Sequence, residues 1–412
     1  MSCLSLIDGK HKFNKDVLIK IIEVVKHPKI NYYCWDQTYM VPEPFKVDLS
    51  LLDEVKIATE ICGTIYQKAV RLVLYNDSLL KMLCIPEEAI KFCKHKYDSQ
   101  MPVTLIGRFD FGLHKGKELK LLEFNSDTPT GVVEASELNS IFSEINNGLN
   151  PNCIFLINVK EAFNLFLQNK QYNNIVFTSL DWYFEDKGTV LAEMDYSGLK
   201  AKYVPLDKLI VKEDGLYDDL EQKIDLLYRL YPIEWFLQEE DGEKLINLVV
   251  TDKLDILNPP TAYIAQSKIM QAVIWELGNT DNNYFTKEEK EVVKKYFLPT
   301  YLERDRLIGR AYVSKPAYGR EGGGICLYDK YGKKEREIKN KETSYEYIHQ
   351  EKIELSDLTV RTWMGDFLGK ITIGSFIIGG KSSGLYLRVG EEITDDNSYY
   401  LPVILKESEA VY

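Results

Sequence analysis

Residues 108–131, RFDFGLHKGKELKLLEFNSDTPTG, confine the fold more than any other stretch of this 412-residue sequence. Two runs of strand-forming residues, 104–114 and 118–125, flank a Lys-Gly-Lys tip, the pattern of a β-hairpin. A two-residue turn at Gly116–Lys117 with glycine leading is a type II′ turn. It predicts that Asp110 faces Glu123 and that Arg108 faces Asn125. Side chains alternate faces along a strand, so these four polar groups converge, and Phe109, Phe111, Leu122 and Phe124 are expected on the opposite face. Directly behind, Asn125-Ser126-Asp127-Thr128-Pro129-Thr130-Gly131 is a run of small, polar and turn-forming residues suited to presenting hydroxyls and amides to a ligand. Two acids and an amide side by side are the hard-oxygen set that Mg²⁺ uses together with waters and phosphates. A surface hairpin with cross-strand ion pairs would carry the same pattern.

The chain length suits two or three lobes. With 45% apolar and 28% charged residues, there is ample material for a core. No apolar run approaches the ~18 residues of a membrane span, and the start, MSCLSLIDGKHKF, lacks the apolar segment of a secretory signal. A cytoplasmic location without membrane partners is expected. Seven cysteines form no C-x-x-C pair, which argues against a disulfide framework or a zinc site. A net charge of −12 argues against nucleic-acid partners, because phosphate neutralisation needs a basic face. It also suits a cationic substrate.

Along the chain, apolar spacing predicts a long amphipathic helix over 51–75 and a shorter one over 86–93, with helical spacing resuming after Gly131. From 151 the texture alternates: helix 159–169, strand 174–179, a helix ending near Gly198, strand 201–204. Alternation of this kind implies an α/β layer. Asp181–Lys187 then lies just beyond a strand end, where open α/β sheets bind ligands, and makes Glu185 a candidate contact or a solvated loop acid. The aromatic run 225–236, DLLYRLYPIEWF, reads as buried packing. Ser267 is expected to cap a helix that holds Lys268 on its first turn, and Thr286 with Glu289 forms a capping box.

Residues 311–316 and 325–328 read as strands around Ala317-Tyr318-Gly319-Arg320-Glu321-Gly322-Gly323-Gly324. Four glycines in that loop let backbone amides approach an anion, with Lys315 as a point charge on an exposed hairpin. No Gly-Lys-Ser/Thr closes the loop, so it is not a Walker motif, and no H-R-D or D-F-G segment accompanies it. Tyr347–Glu351 is expected as a strand placing Gln350 near a hinge. Residues 374–378 and 385–389 form a further hairpin around a loose loop, 379–384. Arg388 is a lone charge in an apolar strand, either a snorkelling surface group or an anion clamp.

Together these residues resemble the glutathionylspermidine synthase family, whose synthetase portion is an ATP-grasp carboxylate–amine ligase. The resemblance rests on R-F-D at 108–110, L-E-F-N-S-D-T-P-T at 122–130, S-K-P-A-Y-G-R-E-G-G at 314–323 and I-G-S-F-I-I-G at 373–379. It implies an α+β (α/β) architecture of the ATP-grasp type with a preceding α/β, pre-ATP-grasp, lobe. An N-terminal helical region with the metal-site hairpin is expected over 1–150, the α/β lobe over 151–260 and the nucleotide-binding region over 261–412, with interleaved lobes. The family's amidase domain has no counterpart, so a synthetase-only member is expected.

Carried over by position, the resemblance implies ATP and Mg²⁺ as cofactors, with Asp110, Glu123 and Asn125 as metal ligands. Arg108 and Arg388 would act on the transferring phosphate or acyl phosphate. Lys268, Lys315, Glu321, Gly322 and Gln350 would contact ATP. Thr128, Thr130 and Glu185 would contact the small-molecule substrates, a peptide-like carboxylate and an amine or polyamine. Two departures bear on the substrate: Leu230 stands where better-known members carry threonine, and Ser398-Tyr399-Tyr400 replaces a segment in which arginine is frequent. A ligase for another acid and amine, or a non-catalytic nucleotide binder, would share most of these residues.

Overall fold

A computed structural model describes residues 39–406 except 96, 117, 169, 321, 340–345, 363 and 395–396. Its centre is a mixed-origin sheet that draws on both ends of the chain. Strand Ile106–His114 pairs with Glu118–Asn125 on one side and with Gly365–Ile378 on the other, followed by Lys381–Gly390 and Tyr399–Leu401. The first and last expected blocks therefore share one hydrogen-bonded layer.

The apolar face of this sheet is covered by helix Leu49–Leu74. The helix buries a stripe that includes Val55, Cys62, Ile65, Tyr66 and Val73, the spacing of one helical face. Tyr66 meets Phe124 edge-on at 4.8 Å, and Phe109 stacks on Phe124 at 3.9 Å. Thr59 Oγ donates to Ser375 Oγ across the same interface at 2.7 Å. This packing fixes which way the hairpin faces, because Phe109 and Phe124 cannot leave the core without exposing Arg108 and Asp110 to it.

The register at the polar patch is the expected one: Arg108 opposite Asn125, Asp110 opposite Glu123. The turn is not. His114 pairs with Glu118, so the connection has three residues, with Lys115 at φ +48° and Gly116 at φ +71°. A bulge at Leu122 absorbs the offset, since Asp110 pairs with Glu123 whereas Phe111 pairs with Leu121. Leu122 consequently leaves the core face and lines the cleft, and Leu121 and Leu119 take its place inside. Bulges disrupt the ladder locally, and the Leu122 carbonyl accepts instead from Lys315 Nζ at 3.0 Å and Gln271 Nε2 at 3.2 Å.

Four parallel strands, in the order Asp255–Leu257, Leu226–Arg229, Ile175–Thr178, Ala201–Tyr203, form the α/β layer. Helices Phe155–Leu167 and Phe184–Ser197 belong to it, the latter ending on Gly198 at φ +67°. An antiparallel sheet carries Thr300–Tyr301, Tyr347–Glu351, Tyr312–Pro316, Cys326–Tyr328 and Lys334–Glu337 in that order. The capping box at Thr286 and Glu289 is present. The loose loop expected at 379–384 is a tight two-residue turn, with Gly379 at φ +55° and Gly380 at φ +83° before the strand resumes at Lys381. After Gly131 two α-helical residues lead into a π turn, Glu134–Leu138. Among the described residues, no helix is long and apolar enough to cross a membrane.

Candidate active site

The three sheets converge on a cleft of about 920 Å³, a size suited to small-molecule ligands. Its floor is the polar face of the central sheet, and the reason that face is open lies in Gly374. This residue sits between Asp110 on one strand and Tyr386 on the other. A Cβ here would come within 3.0 Å of Arg108 Cδ and 2.7 Å of the Tyr386 carbonyl. Glycine thus lets the Arg108 side chain lie across the sheet.

Arg108 donates to both oxygens of Asp110, from Nε at 2.6 Å and Nη2 at 2.9 Å, and to the Thr130 carbonyl from Nη1. Arg388 Nη2 reaches Asp110 Oδ2 at 2.9 Å. Arg388 is therefore no snorkelling surface group but half of a guanidinium pair around one carboxylate. Asn125 Nδ2 lies 3.2 Å from Asp110 Oδ2 and 3.4 Å from Glu123 Oε1, so the three side chains meet at one point.

Lys268 and Lys315 face this patch from the opposite wall. Lys268 Nζ lies 3.2 Å from Glu123 Oε2 and donates to the Gly319 carbonyl at 2.8 Å, and its backbone amide donates to Ala317. It is tied to the glycine-rich loop twice. Its helix, Ile269–Asn279, starts one residue later than expected, but Ser267 Oγ still accepts from the Ile269 amide. Lys315 is buried rather than exposed on its hairpin. Gln350 Oε1 accepts from it at 2.7 Å, and Gln350 Nε2 donates to Thr300 Oγ at 3.2 Å.

Electrostatics follow from this packing. Burial pushes the Lys315 amine down to about 8 despite the pull of Glu123, with Lys268 adding repulsion. Burial alone would raise the Glu123 carboxyl, but Lys268, Lys315, Arg108 and Arg388 outweigh it and hold it at about 2. At this patch four cations thus face two carboxylates, Asp110 and Glu123, while the rest of the lining is acidic, with Glu185, Asp186, Glu351 and Glu392 against Arg320 and Lys352. The local excess of positive charge at the patch suits a polyanion.

The donors also fit a divalent cation. Among the described residues no cluster of three or more His, Cys, Asp or Glu is disposed for a metal, so Asn125 has to complete the set. Amide orientation is assigned from the hydrogen-bond network, and a turned amide presents Oδ1 to the point shared with Asp110 and Glu123. Two carboxylates and an amide oxygen, with phosphates filling the remaining positions, match Mg²⁺.

Thr128 and Thr130 line the cleft, and Thr128 Oγ accepts from Arg320 Nη1 at 2.8 Å. Glu185 lines it from the first turn of helix Phe184–Ser197 rather than from a loop. Gly322, at φ +72°, lines it within the glycine-rich loop; Glu321 falls outside the described residues. Leu230 and Ser398–Tyr399, the departures noted above, line it too.

Several cleft residues escape the sequence reading. Arg320 spans from the glycine-rich loop to Glu234 at 2.7 Å and over Trp235 at 5.6 Å. Trp235 belongs to the run expected to be buried, yet it faces the cleft with Trp182 and Tyr183. Asp127 and Arg229 form a fully buried pair at 2.6 and 3.0 Å that anchors the Thr128–Thr130 segment to the α/β layer. Tyr39 and Tyr386 form a further wall. Tyr386 carried a signal, being two residues from Arg388 on one strand and so on its face, and Trp182, Tyr183, Arg320 and Asp127 lie in stretches already expected to meet a ligand.

The elements described above make this an α+β protein of the ATP-grasp type with a preceding α/β lobe. The family model "Glutathionylspermidine synthase preATP-grasp" matches residues 26–406, and the chain belongs to that family. It is similar to a Haemophilus influenzae protein named "Putative acid--amine ligase", 28% identical over 313 residues that cover 72% of this chain and 74% of that one. A glutathione synthetase-like effector from Globodera pallida, solved in apo form, shares the fold at TM-score 0.59 and 12% identity, over 93% of this chain and 97% of that one.

Proposed function

We propose that the protein joins a peptide-like carboxylate, of which glutathione is the model, to a primary amine such as spermidine, through an acyl phosphate formed at the expense of ATP. The observation that carries this reading is the convergence of Arg108, Asp110, Glu123, Asn125, Lys268, Lys315 and Arg388 on one cleft. In such a reaction the protein supplies positioning and charge, and no nucleophilic side chain is required.

Lys268, Lys315 and the glycine-rich loop are suited to hold the triphosphate, with Gln350 fixing Lys315. Asp110, Glu123 and Asn125 would hold Mg²⁺, whose chemistry is to neutralise charge on the phosphates. All seven of Thr128, Thr130, Arg320, Glu185, Trp182, Tyr183 and Trp235 line the cleft; in this reading the first three would contact the acid and the other four the amine. Arg108 and Arg388 stand over the junction. The carboxylate attacks the terminal phosphorus, and the amine nitrogen then displaces phosphate from the acyl carbon. Arg108 and Arg388 meet the negative charge that gathers on the carbonyl oxygen.

The test is ADP release across a panel of carboxylates and amines in a folded, ATP-binding preparation. ADP should depend on the carboxylate, and sustained turnover on the amine as well. A product lighter by one water than the summed substrates should accumulate with the ADP. ATP binding without turnover against every pair would replace the ligase reading with a nucleotide-binding one. Arg108→Ala should lower turnover more than ATP affinity, because its contact strengthens in the transition state.

A further inference from the structure

Amide formation requires a group that the cationic side of the cleft does not offer. An alkyl amine is protonated at neutral pH, with a pKa of about 10.4 if it resembles a lysine side chain, and its nitrogen cannot attack until that proton is gone. Asp110 is committed to two guanidiniums and Glu123 to Lys268. The acceptor has to come from elsewhere in the lining, where the acids Glu185 and Asp186 stand at the rim and a tyrosine wall stands beside the two guanidiniums.

Tyr39 and Tyr386 form that wall. The Tyr39 hydroxyl donates to Glu134 Oε1 at 2.7 Å and lies 2.9 Å from the Tyr386 hydroxyl. A phenol has one proton. Since that of Tyr39 goes to Glu134, the Tyr39 oxygen accepts from Tyr386, and the Tyr386 oxygen keeps acceptor capacity for a donor in the cleft. The chain therefore has a direction, from the cleft to a carboxylate that is 1% exposed.

Its start is fixed beside the reacting centre. The Tyr386 ring lies 5.1 Å from the Arg108 guanidinium and 5.4 Å from that of Arg388. Gly131, at φ +88°, lets the ring close in, for a Cβ there would lie 2.9 Å from it. Its end is fixed as well: Glu134 opens the π turn, and Tyr400 donates to its carbonyl at 2.8 Å. π turns often accompany functional sites. Burial first, then the charge of Glu134, holds both phenols above their ordinary range, so they pass protons rather than ionise.

We propose that Tyr386, Tyr39 and Glu134 form a proton relay that deprotonates the attacking amine, with Glu134 as terminal acceptor; this rests on the ligase reading above. The ammonium gives one proton to the Tyr386 oxygen, Tyr386 passes its own to Tyr39, and Tyr39 passes its own to Glu134. The neutral nitrogen then bonds to the acyl carbon, the carbon–oxygen bond to phosphate breaks with its electron pair, and the second nitrogen proton leaves with the phosphate. Tyr386 touches the substrate; Tyr39 and Glu134 act through it.

Hydroxylamine separates this role from a structural one, because it is a neutral nucleophile at neutral pH and needs no such acceptor. The parent, with ATP, Mg²⁺ and glutathione, should give hydroxamate with hydroxylamine and amide with spermidine. Glu134→Gln and Tyr39→Phe should lose about 100-fold or more in amide formation, the scale of general base catalysis, while hydroxamate formation largely survives. Tyr39→Phe keeps the ring on Tyr400, 6.3 Å away, and carries the test if Glu134→Gln fails to fold. Equal loss of both products, or undiminished amide formation, overturns the relay. A parent that makes neither ADP nor hydroxamate with any carboxylate overturns the ligase reading, and the relay with it.

Discussion

The two ends of the cleft are built on different physical terms. At the end proposed for phosphate, Lys268, Lys315 and Gln350 are buried, each tied to backbone or a neighbouring side chain at 3.0 Å or less. At the end proposed for the amine, Trp182 is 72% exposed and Tyr183 36%. One end is pre-organised by the core beneath it; the other is an open rim that a ligand completes. A buried charge costs free energy unless it is paired, so pairing at the phosphate end holds a geometry. An exposed aromatic rim imposes little geometry and contributes contact area instead.

The largest effect should come from the junction of the two ends. Asp110→Asn removes the anion that holds Arg108 and Arg388 and one of the oxygens suited to Mg²⁺, and Glu123→Gln removes the other. Loss of one well-placed electrostatic stabiliser costs on the order of 2.7–4 kcal/mol in barrier, or about 10²- to 10³-fold in turnover, and Asp110→Asn should reach the upper end. Steady-state ADP release measures it. Variants as fast as the parent would remove the contrast between the ends by showing that the anchored patch is not the reacting one.

Next comes Lys315→Met, which keeps volume and deletes charge. A hydrogen bond to a charged group is worth about 1.5–3 kcal/mol, so ATP affinity should fall roughly 10- to 100-fold by calorimetry, with circular dichroism unchanged. A pH series sharpens the point. The Lys315 amine sits at about 8, charged below that value and neutral above it. ATP affinity should therefore be full below pH 8 and decline as pH rises through it, and Lys315→Met should flatten that part of the profile. An unchanged profile in the variant would assign the titration to another group.

The same asymmetry decides what the sequence could reveal. The junction was legible because strand alternation places Arg108 with Asp110 and Glu123 with Asn125 whatever surrounds them. Its register was right although the turn was not, since the bulge at Leu122 offsets the longer connection. A bulge answers to packing: core positions filled by Leu119, Leu121 and Phe124 leave Leu122 outside. The burial of Lys315 was invisible because it depends on Gln350, thirty-five positions away, and on the Leu122 carbonyl. The amine end was barely legible. Trp182, Trp235 and Tyr39 come from three separate stretches, and an aromatic in a strand–helix connection reads as core until tertiary structure places it.

The smallest effect should be at that rim. Trp182→Ala takes away an exposed ring 6.0 Å from Tyr183 and beside the acids Glu185 and Asp186, which also line the cleft. A cation over an exposed ring is worth about 0.5–1 kcal/mol, so KM for a cationic amine should rise only about two- to fivefold. Turnover at saturating amine should stay near that of the parent, because a rim contact holds the bound amine and the transition state alike. ATP affinity should not move, since the phosphate end is fixed by groups that do not touch Trp182. A neutral nucleophile such as hydroxylamine gains nothing from the rim, and its KM should be the same in both proteins. A large loss of kcat in Trp182→Ala, or a matching loss of ATP affinity, would mean that the rim shapes the anchored end, and the two halves of the cleft would then have to be treated as one body.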